Sequence, residues 1–248
     1  MQSNIETFRY RMTYRISGRL RFLSHKELMR MMMRACRRAR LPLAYSQGFH
    51  PHALLSFGPP RPVGMAGDAE QLDVRLRAAM PAADVRDALA CQLPGEARVA
   101  AVEQIPLNAP AITACARSAW YECTWPCGAG GPEAAIARLL ASDAVWHDRR
   151  TSGAVQRKDL RPGILGIAWG PPSLRLHLSL DADRYVRPTE VLAELTGLPD
   201  DALRRITVTR TGMAAAPPPA ASTTAHHGTR DHHRCAGNAG TPHCHPGG

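Results

Sequence analysis

The sequence predicts an α+β protein made of two tandem ferredoxin-like modules followed by a disordered tail. Alternating apolar and polar residues mark strands, and apolar residues at helical spacing mark helices. Their order reads β-α-β-β-α-β twice, which is the ferredoxin-like pattern. A chain of 248 residues is also long enough for two such modules. The predicted parts are a basic first module at 1–105, a linker at 106–118, a second module at 119–212 and the tail at 213–248.

The first predicted strand is FRYRMTYRIS, in which apolar residues from Phe8 to Ile16 alternate with arginines and a threonine. This period of two is typical of a half-buried strand. The following residues, RLRF, continue the alternation, so we expect the strand to extend through them.

The next segment is predicted to be a basic amphipathic helix. Ser24 and Glu27 form the S-x-x-E pattern of a capping box, and Pro42 ends the run. One side of this helix is apolar and consists of Leu28, Met32, Ala35, Cys36 and Ala39. The opposite side is basic, because residues three and four apart share a helix face, and consists of Lys26, Arg30, Arg34, Arg37 and Arg38.

The rest of the first module is predicted to contain the strands LAYS, ALLSF, EQLDVRLRA and EARVAAVEQIP and the helix PAADVRDALACQL. The second module is predicted to contain the strands AWYECTW, ILGIAWG, LRLHLSL and RRITVTRT, the helices PEAAIARLLAS and RPTEVLAEL, and a hairpin of AVWHDRR with GAVQRKD. The tail lacks the apolar residues that a core requires.

Positive charge is concentrated at the start of the chain. Of the 31 Lys and Arg residues, 11 lie within 1–40, where the acids are Glu6 and Glu27. This stretch therefore carries +9 of the formal +10, which favours a polyanionic partner. The candidate nucleic-acid-binding residues are Arg19, Arg21, Lys26, Arg30, Arg34, Arg37 and Arg38.

A polar loop, SQGFHP, follows the basic helix. In a ferredoxin-like fold this loop and the start of the helix lie near one end of the sheet. One interpretation is a polar pocket for an anion, held with the first-turn amides of the helix; the other is a capped helix followed by a hydrogen-bonded turn. The candidate residues of the pocket are Ser24, His25, Tyr45, Ser46, Gln47, Gly48 and His50.

The motifs GRLRFLSHKELMR, LPLAYSQGFHPHALLSFGPPRPVG and EQLDVRL resemble the bacterial radical-SAM-linked protein family, a domain of unknown function. The resemblance covers roughly residues 8–212. It departs from the family pattern at Lys26-Glu27, where Leu-Asp is usual, and at His52, where Arg is usual. It implies a module found beside, or fused to, a radical SAM protein with a cobalamin-binding region, often encoded near a ribonuclease of the E/G type.

Two further stretches, DLRPG and RPTEVLAEL, are similar to that family's other signatures. Asp159 and Arg161 are therefore added to the polar motif site. The expectation there is an exposed turn in which Asp159 pairs with Arg161 or another basic group, in a structural or a functional role.

The seven cysteines are scattered, as expected of reduced thiols in a cytoplasmic protein. The chain has no C-x3-C-x2-C triad, so it does not itself carry a radical SAM cluster. Cys123 and Cys127 lack a second pair at zinc-finger spacing, and the His- and Cys-containing tail favours only adventitious metal binding. We expect no metal, no cofactor and no membrane span. The oligomeric state is left open.

The function expected from these observations is that of a non-catalytic accessory subunit that binds tRNA or another structured RNA and serves a radical SAM enzyme. One alternative is an adaptor whose basic face docks on an acidic partner protein. The other is an enzyme in which His25 and His50 act on an RNA phosphodiester.

Overall fold

The computed structural model describes residues 6–125, 130–151 and 154–214. A single sheet contains strands from both the N-terminal and the C-terminal half of this chain. Its strand order is β4-β1-β3-β10-β5-β9-β8, and the short β2 pairs with β3 beside this path. The strands are β1 (Phe8–Ile16), β2 (Leu55–Phe57), β3 (Ala66–Leu76), β4 (Ala97–Ile105), β5 (Ser118–Thr124), β8 (Ile164–Gly170), β9 (Ser173–Ser179) and β10 (Val208–Ala214), and a separate hairpin pairs β6 (Trp146–Thr151) with β7 (Ala154–Asp159).

Six α-helices connect these strands within the described residues. They are α1 (His25–Arg38), α2 (Ala82–Ala90), α3 (Ile112–Cys115), α4 (Glu133–Ala141), α5 (Pro188–Thr196) and α6 (Asp200–Leu203). None of these helices has the length and apolar character needed to cross a membrane.

The two halves meet where β3 and β10 run parallel, with Thr209 opposite Ala66 and Arg210 opposite Gly67. All other strand pairs in the sheet are antiparallel. Within the first half the neighbours run β4-β1-β3-β2, and within the second they run β10-β5-β9-β8.

Each half has its own hydrophobic core between the sheet and its helices. In the first half, Tyr10 and Met12 of β1 pack with Leu28 and Met32 of α1. In the second half, Tyr121 of β5 packs among residues of α4 and α5. Most apolar positions that the sequence pattern assigned to β1 and α1 are therefore buried, while Phe8 and Ala39 are half-buried.

The alternation in RLRF does not form a strand, contrary to expectation. Gly18 adopts a positive φ of 53°, and Gly18–Phe22 forms a 3-10 helix that turns the chain from β1 into α1. LAYS is not a full strand either, since it forms only isolated bridges at Leu43 and Tyr45.

All described residues fall within one compact unit, and strands from both sides of the predicted linker belong to the same sheet. Within 106–118, α3 forms and Ile112 is buried. The division into two domains stays a prediction. The predicted tail lies outside the described residues from 215 onward.

Candidate nucleic-acid interface

The start of α1 is a complete capping box. The Ser24 hydroxyl accepts a hydrogen bond from the Glu27 amide at 3.4 Å, and Glu27 Oε2 accepts one from the Ser24 amide at 2.8 Å. The Ser24 hydroxyl also donates to Glu27 Oε2, and these hydrogen bonds lower the pKa of Glu27. The predicted capping box is confirmed. Glu27, the only acidic residue of α1, is hydrogen-bonded within this cap.

The two faces of α1 separate as predicted. Leu28, Met32, Ala35 and Cys36 are buried. The basic side chains Lys26, Arg30, Arg34, Arg37 and Arg38 are all exposed. None of these five forms an ion pair with an acid among the described residues. Arg38 donates to the Gln92 carbonyl at 2.6 Å, so it is held by the turn that follows α2.

The arginines of β1 are not part of this exposed charge. Arg9 is buried, and both Arg9 and Arg11 pair with the buried Asp73, at 2.6 and 2.8 Å. Arg15 pairs with Asp68. The three arginines of β1 that contribute to the charge of residues 1–40 are therefore paired with acids inside the fold, whereas the basic residues of α1 are not.

Arg19 and Arg21 lie on the 3-10 helix before α1. Arg19 is exposed and is held through its backbone amide, which donates to Glu96. Arg21 is half-buried and its guanidinium lies 4.8 Å from the centre of the Phe22 ring. The Arg21 carbonyl also accepts a hydrogen bond from the buried Arg61, so this segment is firmly attached to the loop before β3.

The polar loop after α1 closes on itself through Ser46 and His52. The Ser46 amide donates to the His52 carbonyl at 2.8 Å, and the Ser46 hydroxyl lies 2.8 Å from His52 Nδ1. Between them, Gln47, Gly48, Phe49 and His50 are exposed, and Tyr45 is just over one-third exposed. Gly48 has a φ of 128°, a conformation that a side chain would strain.

His25 and His50 have different surroundings. His25 packs edge-on against Phe57, with 5.8 Å between ring centres. Burial lowers the pKa of His25, and the charges of Arg210 and Arg61 act in the same direction while Glu70 opposes them. His50 is exposed in the loop, and no described hydrogen bond joins the two imidazoles.

Asp159 and Arg161 stabilise the second half of the fold rather than forming an exposed turn. Asp159 Oδ1 accepts hydrogen bonds from the amides of Val145 and Arg161, at 2.8 and 3.0 Å. The Arg161 guanidinium donates to the carbonyls of Leu140 and Ile164. Both side chains are half-buried, and they interact through the Arg161 backbone rather than through an ion pair.

Sequence reasoning missed a buried ion pair where the two halves meet. Arg210 of β10 is 1% exposed and binds both oxygens of Glu70 of β3, with Nε at 2.8 Å from Oε1. Arg210 also donates to the Pro59 carbonyl. Glu70 lies in the EQLDVRL motif, but its partner is 140 residues away, so no local pattern could indicate the pair.

A polar cleft of about 850 Å³ opens in the second half between the β6–β7 hairpin, α5 and α6. On its wall, Arg149 binds the buried Glu190 through two hydrogen bonds of 2.7 and 2.9 Å. Burial opposes ionisation of Glu190, but the hydrogen bonds from Arg149 and the Arg187 amide outweigh it and lower its pKa. Glu190 therefore serves to hold the hairpin on α5.

Cys36, Cys91, Cys115 and Cys123 are free thiols. Burial raises the pKa of Cys36 and of Cys123 to about 12, so neither is a reactive thiolate near neutral pH. Across the described part of the chain, no three His, Cys, Asp or Glu side chains are grouped to hold a metal ion. Cys127 and the tail histidines lie outside the described residues.

The comparison with protein families decides the classification. Residues 9–189 match the model of a family described as an uncharacterized protein conserved in bacteria, DUF2344. The chain belongs to this family. The matched range includes α1, the polar loop and most of the second half.

A search of curated proteins finds no match. Among solved structures, the chain is similar to an unknown protein from Galdieria sulphuraria at 12% sequence identity. That alignment covers 83% of this chain and 98% of the other, with a TM-score of 0.26. A score at this level supports no inference about function.

Proposed function

We propose that this DUF2344 protein is a non-catalytic accessory subunit that binds RNA through the basic face of α1. The observation that carries this proposal is the set of five exposed basic side chains on α1, none of which pairs with an acid among the described residues. Placing like charges along one helix face costs stability. A row of cations without acid partners is suited to an external polyanion.

The arrangement suits a phosphate backbone better than a single anion. Lys26, Arg30 and Arg34 follow one another at intervals of four residues, so they form a row along the helix. Arg37 and Arg38 extend the row into the last turn. Each cation that neutralises a phosphate releases counterions, so a row of them gives additive affinity for RNA.

The RNA that we propose is tRNA or another structured RNA, and the partner is a radical SAM enzyme with a cobalamin-binding region. The motifs around α1 and the polar loop support this assignment through their resemblance to the radical-SAM-linked family. Tandem ferredoxin-like modules remain our interpretation of the fold, supported by the matching strand order of the two halves. A cytoplasmic location fits such a role and the free thiols.

The test is RNA binding by a charge-reversal variant. In R30E/R34E/R37E/R38E, the affinity for a labelled tRNA, measured by fluorescence anisotropy, should fall at least 100-fold at low salt. The matched control is R138E/R175E/R204E/R205E, because those four arginines are also exposed and lie in the second half. Each Arg-to-Glu substitution lowers the formal net charge by two, so the net charge of both variants is +2 instead of +10.

The control variant should bind RNA within a few fold of the wild type. Equal losses in the two variants would mean that net charge, and not α1, determines binding. Unchanged RNA binding in the α1 variant, combined with loss of co-purification of a partner protein, would instead support the adaptor alternative.

A further inference from the structure

A short apolar groove of about 320 Å³ lies beside the basic face, between α1 and the segment that leads into β2. Met29 and Met33 of α1 form one wall, and Ala53, Leu55 and Phe57 form the other. Met29 is 38% exposed, whereas the other four side chains are buried or half-buried. The core cluster of this half uses Leu28 and Met32 instead, so Met29 and Met33 are left to line the groove.

The rim of the groove is positively charged. Lys26 and Arg30 line it from the helix, and His52 lines it from the polar loop. The adjacent acid, Glu27, is bonded to Ser24 in the capping box. Within the described residues, Lys26 and Arg30 therefore have no carboxylate partner. A ligand in the groove would lie next to these two positive charges.

The polar loop that supplies His52 to the rim also exposes an aromatic side chain. The loop that ends at His52 is closed by the Ser46 contacts, and it presents Phe49 at 103% relative exposure. The closed loop gives Phe49 no apolar contact that would explain its position. Proteins that bind single-stranded nucleic acid combine aromatic rings, on which bases stack, with cationic side chains that bind the backbone.

The length of the groove limits the kind of occupant. Met29 and Met33 are four residues apart, so the apolar wall extends about 6 Å along the helix axis. A partner helix that anchors side chains at i, i+4 and i+7 needs about 10 Å of apolar groove. A single flat ring fits the available length, and it must carry negative charge beside it to satisfy Lys26 and Arg30.

We propose that this groove binds one unpaired RNA base, with the neighbouring phosphates on Lys26 and Arg30. The proposal rests on the RNA-binding function above and adds to it a preference for unpaired nucleotides. Sequence-tolerant recognition of single strands uses stacking on apolar and aromatic side chains. The base would lie against Met29, Met33 and Phe57, while the basic row continues along the backbone.

The test compares M29S/M33S with the wild type on two probes, a 12-nucleotide single-stranded RNA and a duplex of the same length. Losing the apolar wall should weaken single-strand binding about tenfold, because stacking of one base contributes on this scale. Duplex binding should change less than twofold, because the basic row is intact. The control is V63S/L107S, which changes two exposed apolar residues outside the groove.

The outcomes separate this proposal from the one on which it rests. Wild-type protein that binds neither probe would overturn the RNA-binding function itself. Wild-type binding to both probes with no selective loss in M29S/M33S would overturn the groove alone. Because the substituted side chains include a half-buried one, the melting temperature of each variant is measured first. If M29S/M33S unfolds, M29S alone, at the exposed position, should still weaken single-strand binding selectively, and the absence of such a loss would overturn the proposal.

Discussion

Glu70 and Arg210 form a bidentate ion pair between β3 and β10, the two strands through which the sheet joins its two halves. Both side chains are at least nine-tenths buried. Burying two charges carries a desolvation cost, so the pair is a specific link rather than a simple source of stability. Arg210 lies opposite Gly67 in the parallel pairing of the two strands, three residues from Glu70.

Removing one partner of this link should destabilise the fold strongly. E70Q leaves the Arg210 guanidinium buried without a counter-charge, which should reduce the free energy of unfolding by about 3–5 kcal/mol. The apolar double variant E70M/R210M should recover much of that loss. The measurement is urea unfolding, with the exposed E122Q as control. An E70Q midpoint equal to that of E122Q would show that the pair does not hold the two halves.

The cap of α1 should matter to stability and not only to the position of the basic face. S24A removes the acceptor of the Glu27 amide and should cost about 1 kcal/mol. The exposed Ser56 is a suitable control, since S56A should leave the denaturation midpoint unchanged. If S24A also leaves it unchanged, then Ser24 does not stabilise the helix start.

Glu190 should give the protein a specific acid sensitivity. Its pKa is lowered in the folded state, so its contribution to stability is complete above the ordinary carboxyl pKa of about 4.3. That contribution is lost as the pH falls through the lowered folded pKa. E190Q should therefore lose about 3 kcal/mol near pH 7, and the difference from the wild type should shrink steadily below pH 4.

Thermal unfolding of the wild type and E190Q between pH 2.5 and pH 7 measures this difference directly. The exposed E133Q is the control and should follow the wild type throughout. A gap between wild type and E190Q that is constant with pH would mean that the Arg149–Glu190 contact does not depend on ionisation of the carboxyl group.

Local signals in the sequence predicted local features well. The Ser24–Glu27 capping box spans four residues, and the two faces of α1 follow from helical periodicity alone. The same reasoning failed at RLRF, because alternation over four residues does not distinguish a strand from a 3-10 turn. The positive φ of Gly18, which bends the chain there, has no counterpart in the apolar pattern.

Contacts between distant residues could not be predicted. Asp73 neutralises Arg9 and Arg11 from more than 60 residues away, so a count of charges overstated the basic surface. Glu70 and Arg210 are further apart still. The groove beside α1 likewise depends on how Phe57 and His52 lie against the helix, which only tertiary packing determines.

The salt dependence of RNA affinity tests the central claim most directly. If Arg30, Arg34, Arg37 and Arg38 meet phosphates, the wild-type dissociation constant should rise steeply between 50 and 300 mM salt. The log–log slope of R30E/R34E/R37E/R38E should then be about 2–4 units shallower, while the variant stays folded because this face is exposed. A slope equal to that of the wild type would contradict the account and place the RNA-binding surface elsewhere on the molecule.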